Sequence, residues 1–453
     1  MESQLLVVGG GLAGCEAAWQ AAQQGVRVTL AEMRPARMTP AHHTDGLAEL
    51  VCSNSLRGAA LENAVGLLKE ELARLDSVIV HSAREAAVPA GGALAVDRER
   101  FSALVTARVQ SHPLIEVRRE EITALDQTRP TIIACGPLAS ESLAAEIDRL
   151  TGGRLHYYDA ASPIVAADSI ELGQLYAASR YGKGDGADYL NIPLDQAQYL
   201  RLVEDLRTLP RHEPKEFERD AAGGKAPFFE GCLPVEVMAD RGVDTLRYGP
   251  LKPVGLRDPR TGRAPYAVVQ LRKENAAGTA YNLVGFQTRL AWPAQREAFG
   301  RLPGLEHAEW LRLGVMHRNT FIQSPRLLDR HLRLRDHPSV RFAGQVTGIE
   351  GYVEAAGSGA IAGLEAARAI RAQPPLDLRA TTMLGCIVAY LQDATSDDFQ
   401  PSNITWANVA ALPPELETRD KRERRRRLAA RALGEIERLR ATLERGAGYE
   451  AAV

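Results

Sequence analysis

The chain has 453 residues, more than a typical single domain, so two or three units are expected. Its 45% hydrophobic and 25% charged residues suit a soluble globular protein, and no run reaches the ~18 consecutive apolar residues of a membrane span. A formal net charge of −2 excludes a general pull toward nucleic acid, so any such contact must come from a local patch.

The first stretch, Met1 to Glu32, carries the clearest pattern. Gln4 to Val8 is a short apolar run that enters Gly9-Gly10-Gly11-Leu12-Ala13-Gly14. An alanine-rich segment follows to Gln24, Gly25 breaks it, and Val26 to Leu30 makes a second apolar run ending at Glu32. The periodicity predicts strand, glycine turn, helix and strand, a βαβ unit. Gly9, Gly11 and Gly14 fit G-x-G-x-x-G in the context that gives this motif its weight. The first glycine allows the turn, the second lets the backbone approach a pyrophosphate, and the third brings the helix onto the sheet. Backbone N–H groups at the start of the helix would then point at the phosphates. Glu32 ends the second strand, where it can accept hydrogen bonds from a ribose. An acid there disfavours a 2′-phosphate, so FAD or NAD is expected rather than NADP.

No signal-peptide pattern precedes that strand. The five cysteines, Cys15, Cys52, Cys135, Cys232 and Cys386, are few, odd in number and widely spaced. They fit reduced thiols in the cytoplasm, and no C-x-x-C or Cys/His pair suggests zinc. A segment without clear periodicity, Met33 to Ala60, carries Leu50-Val51-Cys52-Ser53-Asn54-Ser55-Leu56-Arg57; loops this long inside a compact domain usually serve a function. Leu61, Val65, Leu68, Leu72 and Leu75 form a helical stripe. Val96 to Val109 reads as another helix, with Asp97 as its N-cap. Thr131 to Pro137 is an apolar run ending in small residues, with Cys135 where flavoproteins of this architecture usually carry threonine.

The character changes between about Ser140 and Arg335, where helical patches such as Gln196 to Leu209, capped by Asp195, alternate with the strand-like runs Ala267–Leu271 and Tyr281–Phe286. The expected organisation is a first nucleotide-binding part (1–139), an inserted α+β unit (140–335) and a return segment with a basic C-terminal helix (336–453). In that return segment Ser339 to Gly344 is a strand ending in glycine, and Val353 to Ala372 an alanine-rich helix. The run Lys421 to Arg427 is either a solvated surface or a phosphate contact.

Several blocks resemble the folate- and FAD-dependent tRNA (uracil-5-)-methyltransferases. They are the opening glycine motif, LVCSNSLR (50–57), FEGCLPVEVM (229–238), YNLVGFQT (281–288), MHRNTF (316–321), FAGQVTGIEGYVE (342–354) and FQPSN (399–403). The opening motif is also similar to that of a longer tRNA-modifying flavoprotein family with an extra helical C-terminal domain. The resemblance implies an α/β fold: a Rossmann-type FAD-binding domain of the glutathione-reductase kind with an inserted α+β domain. Gly9, Gly10, Gly11, Leu12, Ala13, Gly14, Glu32, Gly344 and Glu350 are the expected FAD-binding residues. The implied reaction is methylation of C5 of the T-loop uridine in tRNA, with carbon from 5,10-methylenetetrahydrofolate, hydride from FADH2 and NAD(P)H as the source of electrons. By the resemblance, Cys232 is the nucleophile and Cys52 the proton acceptor near the flavin. His317 and Arg318 are candidates for the folate, and Arg57, Arg318, Arg424 and Arg425 for tRNA phosphates. The protein is expected to be cytoplasmic, with no membrane and no obligate protein partner. Two other classes stay open: an FAD-dependent oxidoreductase acting on a small molecule, and a flavoprotein that mainly binds tRNA as a folding aid.

Overall fold

Leu5–Val8, buried at every position, lies inside a six-stranded sheet. Covered on both faces, it reads as an unbroken apolar run rather than an alternation. Across the sheet the strands run Arg333–Leu334, His337–Phe342, Thr131–Ile133, Leu5–Val8, Val28–Ala31 and Ile115–Arg118. Neighbours are parallel except for the edge hairpin of Arg333–Leu334 with His337–Phe342. These coordinates come from a computed structural model, which describes residues 4–153, 155–212, 233–314, 316–393 and 399–447.

Two helices rich in small residues lie backbone to backbone beside this sheet. The first is Leu12–Gln23, after the glycine turn, and the second is Tyr352–Ile370, in the return segment. A Cβ on Gly359 would fall 2.2 Å from the Ala13 carbonyl oxygen, and one on Gly363 would fall 2.3 Å from that of Ala17. Glycine is therefore required at both positions: the pair of i,i+4 glycines faces a pair of i,i+4 alanines, and this fixes where the return segment meets the glycine turn.

The chain leaves and re-enters this unit through a two-stranded antiparallel ribbon, Leu155–Ala160 with Met316–Phe321. Thr320 anchors the ribbon by donating from its backbone N–H and its hydroxyl to the Pro137 carbonyl, at 3.3 and 3.1 Å. Helix Glu141–Thr151, which the change in composition assigns to the insertion, instead packs Leu143, Ile147 and Leu150 on the first sheet with Val8, Ile133 and Phe342. The inserted sheet lies between Ile164 and Arg312 and is antiparallel throughout, in the order Tyr176–Ala177, Tyr189–Leu194, Ala267–Lys273, Ala280–Leu283, Ile164–Ala166, Trp310–Arg312. Helices Gln196–Thr208, Val235–Arg241 and Trp292–Phe299 build its core around Tyr199, Phe286 and Phe299.

The Asp97 and Asp195 carboxylates accept from the N–H groups of Arg100 and Gln198 at 3.0 and 2.8 Å, which starts the two helices where the sequence places their caps. The last helix, Lys421–Ala447, buries Leu428, Ala429, Ala432, Leu433 and Ile436 on the stripe that meets helix Ala64–Arg74. Among the described residues no helix is long and apolar enough to cross a membrane.

Candidate active site

The three motif glycines have different physical reasons for being glycine. Gly9 has φ +105°, and a Cβ there would fall 2.6 Å from the Ala134 carbonyl oxygen. A Cβ on Gly14 would fall 1.8 Å from the carbonyl oxygen of Gly9. Both are therefore fixed by the fold itself. Gly11 is not: its backbone is extended (φ −76°, ψ −171°) and, among the described residues, nothing lies within 4 Å of a Cβ built on it. The empty space before Gly11, at the start of a twelve-residue helix, fits a pyrophosphate that must come close to the backbone.

That space belongs to a cleft of about 1020 Å³, counting its open mouth. Gly9, Gly11, Leu12, Ala13, Glu32, Cys135 and Gly344 line it, together with Gln345, Val51 and Tyr352. The structure thus brings the opening turn, the strand end at Cys135, the cysteine loop and the return segment to one place. Gly10, Gly14 and Glu350 stand behind the lining. Glu350 is buried and bonded to the lining residue Gln345, whose amide Nε2 donates to its Oε2 at 3.0 Å. Gly344, at φ +82°, sits against Ala13, where a Cβ would fall 2.9 Å from the alanine methyl.

Glu32 accepts from the Gly10 N–H at 2.7 Å and from the Arg34 N–H and Nε at 3.0 and 2.9 Å. Burial pushes its carboxyl up, but the hydrogen bonds and charge of Arg34 outweigh this and hold it below the usual carboxylate range. Arg34 is itself buried and also pairs with Glu49 at 3.0 Å. A ribose would therefore meet an ionised, oriented carboxylate. His42, hydrogen-bonded to Thr39 at 2.6 Å, lines the same mouth; burial and the nearby Arg34 push its pKa down to about 4, so it is neutral at pH 7.

The cysteine loop is held by groups from four separate segments. The Cys52 N–H donates to the Tyr352 hydroxyl oxygen at 2.9 Å. Arg98 donates to the carbonyls of Leu50 and Cys52, the latter at 2.7 Å, and pairs with Glu274. Arg312 donates to the Val51 carbonyl at 2.9 Å. Arg272, 6% exposed, donates to Ser53 Oγ at 2.7 Å and to Asn54 Oδ1 at 2.8 Å. Arg98 and Arg312 thus bring two guanidinium groups onto the backbone of the cysteine loop. These arginines, with Arg34, Glu49 and Tyr352, were not singled out by the sequence. No periodicity or motif marks a contact between residues separated by 200 positions or more, such as Asn54 and Arg272.

The other candidates are placed as follows. Arg57, at φ +62°, forms an ion pair with the buried Glu354 in the first turn of the return helix. His317 and Arg318 lie on the ribbon strand, in register with Asp159 and Tyr158. Arg425 lies over the Trp406 ring at 5.8 Å, whereas Arg424 is exposed. Cys232 lies outside the described residues. Three residues further on, the Val235 N–H donates to the Gln287 carbonyl in the YNLVGFQT block at 2.7 Å. Cys15 and Cys386 are buried; burial raises both thiols, that of Cys386 to about 12, which leaves them as packing groups.

The sequence matches the family described as "Glucose inhibited division protein A" over residues 4–374. It is 55% identical to the Geobacter sulfurreducens protein named methylenetetrahydrofolate–tRNA-(uracil-5-)-methyltransferase TrmFO, over 98% of this chain and 100% of that one. It is 56% identical to the protein of the same name from Heliobacterium modesticaldum, over 96% of this chain and 97% of the relative. Among solved structures, GidA from Aquifex aeolicus superimposes with a TM-score of 0.71 at 15% identity, over 98% of this chain and 75% of that one, a likeness of fold. The chain belongs to the TrmFO family of methylenetetrahydrofolate–tRNA-(uracil-5-)-methyltransferases, within the wider glucose-inhibited division protein A family.

Proposed function

We propose that the protein methylates C5 of the T-loop uridine in tRNA, taking the carbon from 5,10-methylenetetrahydrofolate and the hydride from FADH2. The observation that carries this reading is the convergence of the empty space at Gly11, the ionised Glu32 and the cysteine loop on one cleft. The residues present fit FAD. The start of helix Leu12–Gln23 suits the pyrophosphate, Glu32 the ribose, and Gly344, Gln345 and Tyr352 the end next to Cys52. The chemistry supplied there is hydride donation from the reduced flavin, with NAD(P)H as the source of electrons.

The protein's own groups do the rest. Uracil C5 is a poor nucleophile until a thiolate adds to C6, and Cys232 is assigned that addition. The enolate formed attacks the folate methylene carbon. Cys52 accepts the C5 proton and tetrahydrofolate leaves. The exocyclic methylene then takes up hydride, and release of the Cys232 sulfur from C6 restores the uracil double bond. Arg98, Arg312 and Tyr352 hold Cys52 in place through the backbone of its loop. His317 and Arg318 are assigned to the folate.

Release of tritium from C5 of labelled tRNA uridine tests this reading. Release that requires both the folate and Cys232 is expected. Flavin turnover with a small molecule and no release would favour the oxidoreductase class, and tRNA binding without release would favour the folding aid.

A further inference from the structure

Between helix Thr245–Tyr248 and strand Ala267–Lys273 the chain runs through residues 249–266 in turns and bends alone. Structureless connections longer than about 12–15 residues are uncommon in compact domains and usually serve a function. This one is tied down by hydrogen bonds. The Val268 N–H donates to the Leu251 carbonyl at 2.9 Å, the Asp258 N–H to Arg263 at 3.0 Å and the Tyr181 N–H to Gly255 at 3.0 Å. Arg180 and Arg260 side chains bind the carbonyls of Val254 and Gly173 at 2.9 and 2.8 Å.

On this hydrogen-bonded support, large rings face water. Tyr248 is 78% exposed and Tyr181 66%. Tyr181 adopts φ +57°, uncommon outside glycine, and its ring leans on Gly255, where a Cβ would come within 2.8 Å. The charge is one-sided. From 247 to 263 the bases are Arg247, Lys252, Arg257, Arg260 and Arg263, and the single acid, Asp258, is already bound to Arg260 at 2.7 Å. Lys252, Arg257 and Arg263 face solvent in a chain whose net charge is −2. The surface is also tied to the active site. Arg180 Nε donates to Gln270 at 3.0 Å, on the strand whose Arg272 holds Ser53 and Asn54. Pro250 packs on Gly285 of the YNLVGFQT block.

We propose that this loop, with Tyr181, is a platform for the RNA beside the target uridine, an inference that rests on the tRNA reading above. Tyr181 and Tyr248 stack on unpaired bases, which any base allows because each has a π-face, while Lys252, Arg257 and Arg263 neutralise phosphates. The test measures the Kd of full-length holoprotein for tRNA at several salt concentrations, with flavin content and thermal midpoint as controls for folding. Tyr181→Ala with Tyr248→Ala should weaken binding at least tenfold and leave the salt slope unchanged, while the two Phe substitutions bind like wild type. Lys252→Gln with Arg257→Gln and Arg263→Gln should flatten the slope of log K against log salt by about 2. Wild-type affinity in both the Ala and the Gln variants, or equal loss in the Phe and Ala variants, overturns the platform while tRNA binding itself stands. A wild-type protein that does not bind tRNA overturns the underlying reading as well.

Discussion

The backbone N–H of Cys52 is bonded to the hydroxyl oxygen of Tyr352, 300 residues later in the chain, at 2.9 Å. Tyr352 opens the return helix and lines the cleft, so the bond sets the cysteine loop against the wall where the flavin fits. Tyr352→Phe removes the acceptor and leaves the ring. A lost hydrogen bond of about 1 kcal/mol predicts a methylation rate about fivefold lower at unchanged flavin content. Rate and absorbance measured on one preparation check this; an unchanged rate would show that the bond does not position Cys52.

Gly11 and Gly14 should respond in opposite ways. Gly11→Val meets empty space in the protein, so the chain should fold with a normal circular dichroism spectrum and be isolated colourless. Gly14→Ala collides with the Gly9 carbonyl and should lower the melting temperature before flavin content is considered. A yellow, fully occupied Gly11→Val protein would place the pyrophosphate elsewhere.

The proposed roles of Cys232 and Cys52 are separable with 5-fluorouridine RNA, in which fluorine at C5 blocks the proton removal that normally frees the adduct. Cys232→Ala should abolish both methylation and the covalent adduct and keep FAD. Cys52→Ala should abolish methylation and still trap the RNA, because the proton acceptance proposed for it follows the attack. Gel shift under denaturing conditions reads the adduct, and the opposite pattern would exchange the two roles.

His42 predicts a pH effect at the cleft mouth. Its folded pKa of about 4 lies below the unfolded value of about 6.5. Its contribution to stability is therefore complete above pH 6.5 and is lost as the pH falls toward 4, where the unfolded chain binds the proton first. The slope from this one group is at most about 1.4 kcal/mol per pH unit. Denaturant midpoints between pH 4 and 7 should fall less steeply in His42→Gln; identical slopes in the two proteins would remove the histidine from the account.

The basic run of the last helix divides into structural and solvent-facing groups. Arg427 donates to the Leu416 carbonyl at 2.9 Å, and Arg431, just beyond the run, to Ala410 and Ala411. Lys421 and Arg424 are exposed. Lys421→Gln with Arg424→Gln should weaken tRNA binding and lower its salt dependence without changing the melting temperature, whereas Arg427→Gln should lower the melting temperature. Binding curves for the double variant that overlay wild type at every salt concentration would mark this end of the helix as solvated surface.

What the sequence made legible was local. The glycine turn, Asp97, Asp195 and the apolar strands declare themselves within a few residues, because caps and periodicity act over one or two turns of chain. The return helix was readable from its alanines and glycines, within two residues at each end. The support of the active site was not readable. Arg272 looks like any strand arginine until Asn54 is beside it, and the run of arginines in the tail does not reveal which of them are spent on carbonyls. Helix Glu141–Thr151 was assigned across a change in composition, yet its partners, Leu6 and Val340, lie far away in sequence on both sides.

The contact of Gly359 and Gly363 with Ala13 and Ala17 also sets a timetable for synthesis. The first helix emerges early, but the partner that covers its alanine face is made about 340 residues later. At translation rates of about 5–20 residues per second, that face waits on the order of half a minute. The inserted unit, whose sheet closes by Arg312, is complete within that interval. The nucleotide cleft therefore cannot close until the inserted unit has been synthesised, and a nascent chain stalled before residue 359 should capture no FAD.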